Sequence, residues 1–260
     1  MADRTPRWVG VLAVGLVFSG CLGTPGNGPG DGPTELLIGT EAAYPPFEDQ
    51  DEQGNIFGFD PDVIREIANR TRYTVRLQHM EFTAIIPSIQ NGQLHGGISA
   101  FTITAERRQQ VDFTVPYYEN ELLVATLSEN DDVAEEDDLA RVMQDGERIC
   151  TQTGTTSEQW LRDNAGATDA TLLLLPTFPP CADALQRGDA VAMMIDRAAV
   201  RFLIEQSGGR LKQAFTISVD ESFGIAVSKN LPAVLQAFNQ ALTDMRNDGT
   251  LTRLSDRWQV

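Results

Sequence analysis

Two stretches of the 260-residue chain place polar side chains at the ends of predicted strands. Asp196 follows the apolar run 190–195, and Thr155 and Thr156 stand where another predicted strand gives way to a helix. Ligand sites in open α/β sheets gather at the carboxyl ends of strands, and the free N–H groups at a helix start favour an anion. These three residues are therefore candidate ligand contacts. The structural alternatives are a pairing of Asp196 with Arg197 and simple helix capping by the threonines.

Motifs for metal binding or covalent catalysis are missing from the sequence. His79 and His95 are the only histidines, and neither lies in a spacing typical of metal ligands. The sequence contains no nucleophile elbow, and Gly154-Thr155-Thr156 lacks the lysine that a nucleotide-binding loop requires. The sequence therefore predicts no metal and no other cofactor.

The charge of the chain excludes another class of partner. Its 37 acidic and 20 basic residues give a formal net charge of −17. A nucleic-acid partner is not expected, because binding to phosphates needs a basic surface. Only Lys212 and Lys229 are lysines. We interpret this acid-rich, lysine-poor composition as halophilic, since salt screens the self-repulsion of such a surface.

The elements that must position the candidate contacts alternate between strand and helix. Predicted strands cover residues 36–39, 73–77, 98–101, 148–152, 171–175 and 190–195, and predicted helices cover 60–68, 83–90, 105–110, 157–164, 181–187 and 232–246. Asp60 is the predicted N-cap of the first helix and Pro61 its first residue. The alternation predicts the α/β class, with parallel sheets covered by helices.

The first thirty residues indicate export. Residues 1–21 resemble a lipoprotein signal peptide, with a basic start, eleven apolar residues and small residues leading to Cys21. Cys21 is the predicted site of lipid attachment, and an ordinary signal peptide is the alternative. The Gly/Pro-rich residues 22–33 predict a flexible tether, so we expect an anchor on the outer face of the cell membrane. Export permits a disulfide between Cys150 and Cys181, although two buried thiols fit the spacing equally well.

Several motifs, taken in order, are informative together. They are GTEAAYPPFE (39–48), GFDPDV (58–63), FTAIIPSI (82–89), TITAERR (102–108), VDFTVPYY (111–118), QTGTT (152–156), GD (188–189), ID (195–196), FGIAV (223–227) and DGTL (248–251). The set resembles the polar amino-acid-binding proteins of ABC importers, the family that includes glutamine-, histidine- and arginine-binding proteins. The resemblance covers residues 34–260.

This resemblance implies a two-lobed periplasmic-binding-protein fold of type II. Lobe 1 would contain residues 34–121 plus 222–260, and lobe 2 residues 122–221. Two chain crossings, near 118–121 and 220–222, would act as a hinge that closes the lobes around a ligand. We expect a monomer.

The resemblance also implies a role for each residue of the binding site. Arg107 would hold the ligand carboxylate in a bidentate fork, which lysine cannot form. Thr155 and Thr156 would grip the same carboxylate from lobe 2. Asp196 would receive the ammonium group, together with the hydroxyl of Thr102 and the carbonyl of Ala100.

The ligand side chain would lie between Tyr44 and Phe82, whose aromatic faces suit an aliphatic stem or a planar cation. Ser99 and Gln152 are expected as further contacts. Glu41 would reach the distal group of the ligand, which favours arginine or lysine, while glutamine, another polar amino acid and cystine stay open.

The function implied is non-catalytic capture of an amino acid and its delivery to an ABC permease. Two alternatives remain at this point. The same fold hosts a cyclohexadienyl dehydratase, for which Glu41 could supply a general acid. A ligand-sensing subunit that acts through a partner is the other alternative.

Overall fold

The computed structural model describes residues 34–260. The predicted signal peptide (1–21), its Cys21 and the tether (22–33) lie outside the described residues. The strands are β1 Glu35–Thr40, β2 Asp49–Gln50, β3 Ile56–Phe57, β4 Thr74–His79, β5 Gly96–Gly97, β6 Asp112–Phe113, β7 Tyr118–Leu127, β8 Ile149–Gln152, β9 Leu172–Leu175, β10 Ala192–Asp196, β11 Leu211–Phe223 and β12 Ala226–Val227.

Helices cover these strands. They are α1 Phe59–Arg70, α2 Phe82–Gln90, α3 Ala105–Gln110, α4 Glu136–Gln144, α5 Thr156–Asn164, α6 Pro180–Arg187, α7 Arg197–Gln206, α8 Pro232–Asn247 and α9 Thr250–Trp258. The α/β class predicted from the sequence is confirmed. No helix among residues 34–260 has the length and apolar character needed to cross a bilayer.

Two five-stranded sheets form the framework, in the orders β4-β1-β5-β12-β6 and β11-β7-β10-β8-β9. Both are mixed rather than parallel, because β12 runs antiparallel to its neighbours and β7 pairs antiparallel with β10 and β11. The helices cover both faces of the second sheet. Accordingly the side chains of Met193 and Met194, which alternate along β10, enter two different hydrophobic clusters.

The chain passes between the sheets at β7 and β11. These strands pair along most of their length, with Asn120 opposite Glu221 and Tyr118 opposite Phe223. The predicted crossings near 118–121 and 220–222 fall on this stretch. Below, lobe 1 denotes residues 34–121 and 222–260, and lobe 2 denotes residues 122–221, which is the division predicted from the sequence.

The N-cap prediction for Asp60 is wrong. Helix α1 begins at Phe59, and Gly58 precedes it at φ 131°. A Cβ on Gly58 would lie 2.2 Å from the carbonyl oxygen of Phe47, so only glycine permits this entry to the helix. Asp60 is instead fully buried within the first turn. Its carboxylate faces the core, where it accepts from the backbone N–H of Ala100 at 2.7 Å.

The predicted strand over residues 98–101 is also wrong. The strand at this place is the pair Gly96–Gly97, and the following residues form a loop. Ala100 has φ of 46°, which no strand residue adopts. The bond to Asp60 holds this unusual backbone in position.

Cys150 of β8 and Cys181 of α6 form a disulfide, with their Cα atoms 5.6 Å apart. Both cysteines are fully buried. The bridge joins α6 to the sheet of lobe 2, next to the strand that ends at Gln152.

Candidate functional site

One cavity brings together all the ligand contacts predicted from the sequence. The space inside it, part of which is open to solvent, is about 310 Å³, and it is lined by Glu41, Tyr44, Glu48, Phe82, Ser99, Ala100, Thr102, Arg107, Gln152, Thr155, Thr156 and Asp196. Eleven of these twelve residues are the predicted ones, and Glu48 is the addition. Lobe 1 supplies most of the lining, and the ends of β8 and β10 together with the start of α5 in lobe 2 supply the rest.

Arg107 provides the positive charge of the cavity. Thr104 caps helix α3 by accepting from the backbone N–H of Arg107, which fixes the residue in the first turn. Its guanidinium donates to the carbonyl oxygens of Thr102 at 2.9 Å and Gly154 at 3.1 Å. It also lies over the ring of Phe82, 5.3 Å from the centroid. Burial lowers the pKa of Arg107, while the nearby Asp196 opposes this shift, so the group remains a cation.

The two threonines of lobe 2 lie at the start of α5. Thr155 is the N-cap, and its hydroxyl accepts from the backbone N–H of Glu158 at 3.3 Å. Thr155 therefore caps the helix, as the structural alternative predicted. It does not exclude anion binding, because the first backbone N–H groups of a helix have no partner within the helix. Thr156 is the first residue of α5, and both threonines line the cavity beside Arg107.

Asp196 provides a buried negative charge. Its carboxylate accepts from the hydroxyl of Tyr44 at 2.5 Å and from the amide of Asn120 at 2.6 Å. Its pKa is raised to about 7, mainly by burial and also by the nearby Glu221, against the effect of its two hydrogen bonds and of Arg107. The predicted alternative, a pairing with Arg197, is wrong because Arg197 forms an ion pair with Glu121 at 2.6 Å.

Glu41 is a second buried carboxyl group, with an exposed fraction of 2%. The side-chain amide of Gln152 donates to it at 2.6 Å, and the backbone N–H of Phe82 donates at 3.4 Å. Burial raises its pKa to about 7, against the effect of these two hydrogen bonds. Both donors are neutral, so a ligand cation would find the charge of Glu41 uncompensated.

Glu48, which lines the cavity, forms a pair of buried acids with Asp60, which lies behind the lining. Ser99 donates to Glu48 at 2.6 Å, and Tyr117 and the N–H of Ala100 donate to Asp60. Burial is the largest cause of the raised pKa of both groups, which reaches about 6 for Asp60. The negative charge of Asp60 raises the pKa of Glu48, while Glu48 lowers the pKa of Asp60, so we assign the proton of the pair to Glu48. The pair therefore supports the Ser99–Ala100 wall with one negative charge instead of two.

The comparisons with known proteins agree with this geometry. The model of the family described as bacterial extracellular solute-binding proteins, family 3, matches residues 36–260. The chain belongs to this family. Solute binding, and not catalysis, is the activity for which the family and its named relatives are known.

Three similar proteins illustrate the range of the family 3 solute-binding proteins. The L-cystine-binding protein TcyJ of Escherichia coli (strain K12) is 27% identical over 86% of this chain and 82% of its own. The ABC transporter arginine-binding protein 1 of the same organism is 29% identical over 86% of this chain and 90% of its own. The solved structure of an ancestral arginine-binding protein bound to arginine has a TM-score of 0.79 and 32% identity, and covers 87% of this chain and 98% of that one. The type II two-lobed fold predicted from the sequence is thereby confirmed.

Sequence reasoning missed three residues around the site of this family 3 protein. Glu48 lies within the motif 39–48 but was assigned no role. Asn120 and Glu221 lie on the predicted crossings. Asn120 donates a hydrogen bond to Asp196, and Glu221 is close enough to raise the pKa of Asp196. Both Asn120 and Glu221 are polar residues on strands that pass between the lobes. Such residues border the cleft, and this placement could have identified them from the sequence. Among residues 34–260, no group of three or more metal-binding side chains is clustered.

Proposed function

We propose that this solute-binding protein captures a polar L-amino acid between its lobes and delivers it to an ABC permease. The observation that carries the proposal is that a guanidinium, Arg107, and a carboxylate, Asp196, border one cavity. A free amino acid carries both charges, and burying either of them without a partner costs several kcal/mol. A cavity with one group of each sign is therefore suited to a zwitterion.

Each pole of the ligand has a proposed set of partners. Arg107 and the N-terminal N–H groups at Thr155 and Thr156 hold the carboxylate. Asp196 receives the ammonium group, with Thr102 and Ala100 beside it. The side chain lies between Tyr44 and Phe82, and Ser99 and Gln152 complete the lining.

The preferred ligand is a basic amino acid, arginine or lysine. Besides the protonated Glu48, two carboxyl groups, Glu41 and Asp196, but a single guanidinium line the cavity, so a zwitterion leaves one negative charge without a partner. Glu41 is the carboxylate proposed to meet the distal cation, because its hydrogen-bond donors are neutral. The arginine-binding relatives support this preference, whereas the cystine-binding relative keeps other polar amino acids as competitors.

We further propose that the protein works as a monomer, anchored by a lipid on Cys21 to the outer face of the cell membrane. The small residues before Cys21 and the Gly/Pro-rich tether 22–33 support this location. The net charge of −17 supports adaptation to high salt.

Titration calorimetry of residues 34–260 against all twenty amino acids at molar salt tests the function. We expect a dissociation constant on the order of micromolar or tighter for a basic amino acid. Arg107→Ala should weaken binding at least about 100-fold, because a charge-assisted bidentate contact is lost. Arg108→Ala is the matched control, since Arg108 is the exposed neighbour, and it should bind as the wild type does. Equal affinities of the two variants would contradict the assignment of the site.

A further inference from the structure

Glu221 occupies a position between the lobes. It lies near the end of β11, opposite Asn120 of β7, after an irregularity in the pairing that begins at Ile217. Its side chain is half-buried, and it does not belong to the lining of the cavity. Glu221 therefore affects a ligand in the cavity without being one of its contacts.

A single oxygen of Glu221, Oε2, accepts hydrogen bonds from three parts of the chain. The hydroxyl of Thr156 donates at 3.1 Å, the amide of Asn120 at 3.3 Å and the hydroxyl of Thr102 at 3.4 Å. Thr102 belongs to lobe 1, Thr156 to lobe 2 and Asn120 to a crossing strand. The two threonine hydroxyls are themselves 3.4 Å apart. One carboxylate oxygen thus bonds to both lobes and to a crossing strand.

These contacts respond differently to a movement of the lobes. Thr102 pairs with the end of β11 through a bridge to Phe223, and the next residue, Ile103, donates to the carbonyl of Ser222 at 2.9 Å. Thr102 and Glu221 therefore stay together. Thr156 starts a helix of the other lobe, so opening of the cleft separates its hydroxyl from Glu221.

The same loop of lobe 2 is held from a second direction. Arg107 of lobe 1 donates to the carbonyl of Gly154, two residues before Thr156. Because the Arg107 guanidinium is also a proposed ligand contact, its bond to Gly154 and its bonds to a ligand depend on the same group. Glu221 is outside the cavity, so its bond to Thr156 is not shared with ligand binding.

We propose that Glu221 is a positioning residue that stabilises the closed form by holding Thr156 of lobe 2 against Thr102 of lobe 1. This clasp rests on the proposed function, since it acts on the affinity for the captured amino acid. Ligand affinity includes the free energy of closure, so loss of the clasp weakens binding without removing a ligand contact. A closed complex that opens more readily releases its ligand faster.

The test compares Glu221→Gln with the matched control Glu119→Gln, which changes an exposed glutamate on the partner crossing strand. Calorimetry and stopped-flow Trp fluorescence with L-arginine measure affinity and rates. Gln keeps an oxygen that accepts these bonds but removes the charge that strengthens them, so we expect Glu221→Gln to weaken binding about three- to tenfold, through a faster dissociation rate with an unchanged association rate. Glu119→Gln should match the wild type.

Two further measurements separate the clasp from a simple attraction between Glu221 and the ligand ammonium. Glu221→Asp keeps the charge but shortens the side chain by one methylene, so the clasp predicts a loss and an attraction predicts wild-type binding. The analogue 5-guanidinopentanoate lacks the ammonium group, and the clasp predicts that Glu221→Gln weakens it by the same factor as arginine. Wild-type behaviour of Glu221→Asp, or an analogue unaffected by Glu221→Gln, would overturn the clasp.

The outcome also distinguishes the clasp from the proposed function. Wild-type protein that binds arginine, with unchanged affinity and rates in Glu221→Gln, overturns the clasp alone. Wild-type protein that binds none of the amino acids overturns the proposed function and the clasp with it.

Discussion

The side-chain amide of Gln152 donates to the carboxylate of Glu41 at 2.6 Å, and this bond joins lobe 2 to lobe 1 inside the cavity. Gln152 also donates to the carbonyl of Pro176 at 3.0 Å, so both of its amide hydrogens are engaged. The amide is therefore fixed, and it in turn orients Glu41. Because Gln152 brings no charge, the charge of Glu41 is left for a ligand.

Glu41→Gln should reduce the preference of the protein for basic over neutral amino acids. The substitution keeps the size of the side chain and removes its charge. We expect the affinity for arginine at pH 8 to fall about 10- to 100-fold, as for a lost charged hydrogen bond, and the affinity for glutamine to change by less than about threefold. Calorimetry with the two ligands measures the ratio.

Glu81→Gln is the control for this prediction. Glu81 is an exposed acid next to α2 and raises the pKa of Glu41 only slightly, as the smallest of its causes. Its variant should retain the wild-type ratio of arginine to glutamine affinity. An equal loss for arginine and glutamine in Glu41→Gln would show that Glu41 supports the cavity instead of selecting the ligand.

The raised pKa of Glu41 also predicts how the stability of the ligand-free protein depends on pH. The ordinary value is 4.5 and the folded value is about 7, so between these pH values the folded protein holds a proton that the unfolded chain has lost. The stabilisation is full below about pH 4.5 and is lost as pH rises through about 7. Gln at this position does not titrate.

Denaturant unfolding of the ligand-free wild type and Glu41→Gln at pH 5 and pH 8 measures this linkage. The free energy of unfolding of the wild type should fall relative to that of the variant by about 1–3 kcal/mol between the two pH values. The difference between the proteins cancels the titrating groups that do not interact with Glu41. Parallel curves for the two proteins would mean that Glu41 ionises as it does in the unfolded chain.

Some parts of the site were predictable because their signals are local. Asp196 ends an apolar strand, and Thr155 and Thr156 separate a strand from a helix, so neighbouring residues alone indicate their placement. The assignment of Arg107 needed more, since an arginine on a short helix is ordinarily a surface charge. The family resemblance carried it, and the structure places its guanidinium on the cavity.

Other parts depend on contacts between distant residues. Asp60 has the local pattern of an N-cap, yet it serves the loop at Ala100, 40 residues away. The apolar residues 98–101 have the composition of a strand, but the bond to Asp60 holds Ala100 in a loop conformation. Asn120 and Glu221 are 101 residues apart and meet only because β7 and β11 pair. No pattern within a short window contains such information.

Gly154 should be required for closure of the cleft, and Gly154→Ala should weaken every ligand at least about tenfold. Its φ is 77°, and a Cβ would lie 2.8 Å from the Cγ2 methyl of Thr83 on lobe 1, which is closer than such atoms approach.

Gly146→Ala is the control, because Gly146 has φ of 91° but no atom within 4 Å of its Cβ position. Both variants should lose about 1–2 kcal/mol of stability from backbone strain, and only Gly154→Ala should lose affinity. Thr83→Ser removes the methyl group, so the double variant should regain most of the binding measured by calorimetry. Failure of Thr83→Ser to restore binding would place the defect in the strained loop itself instead of in the contact between the lobes.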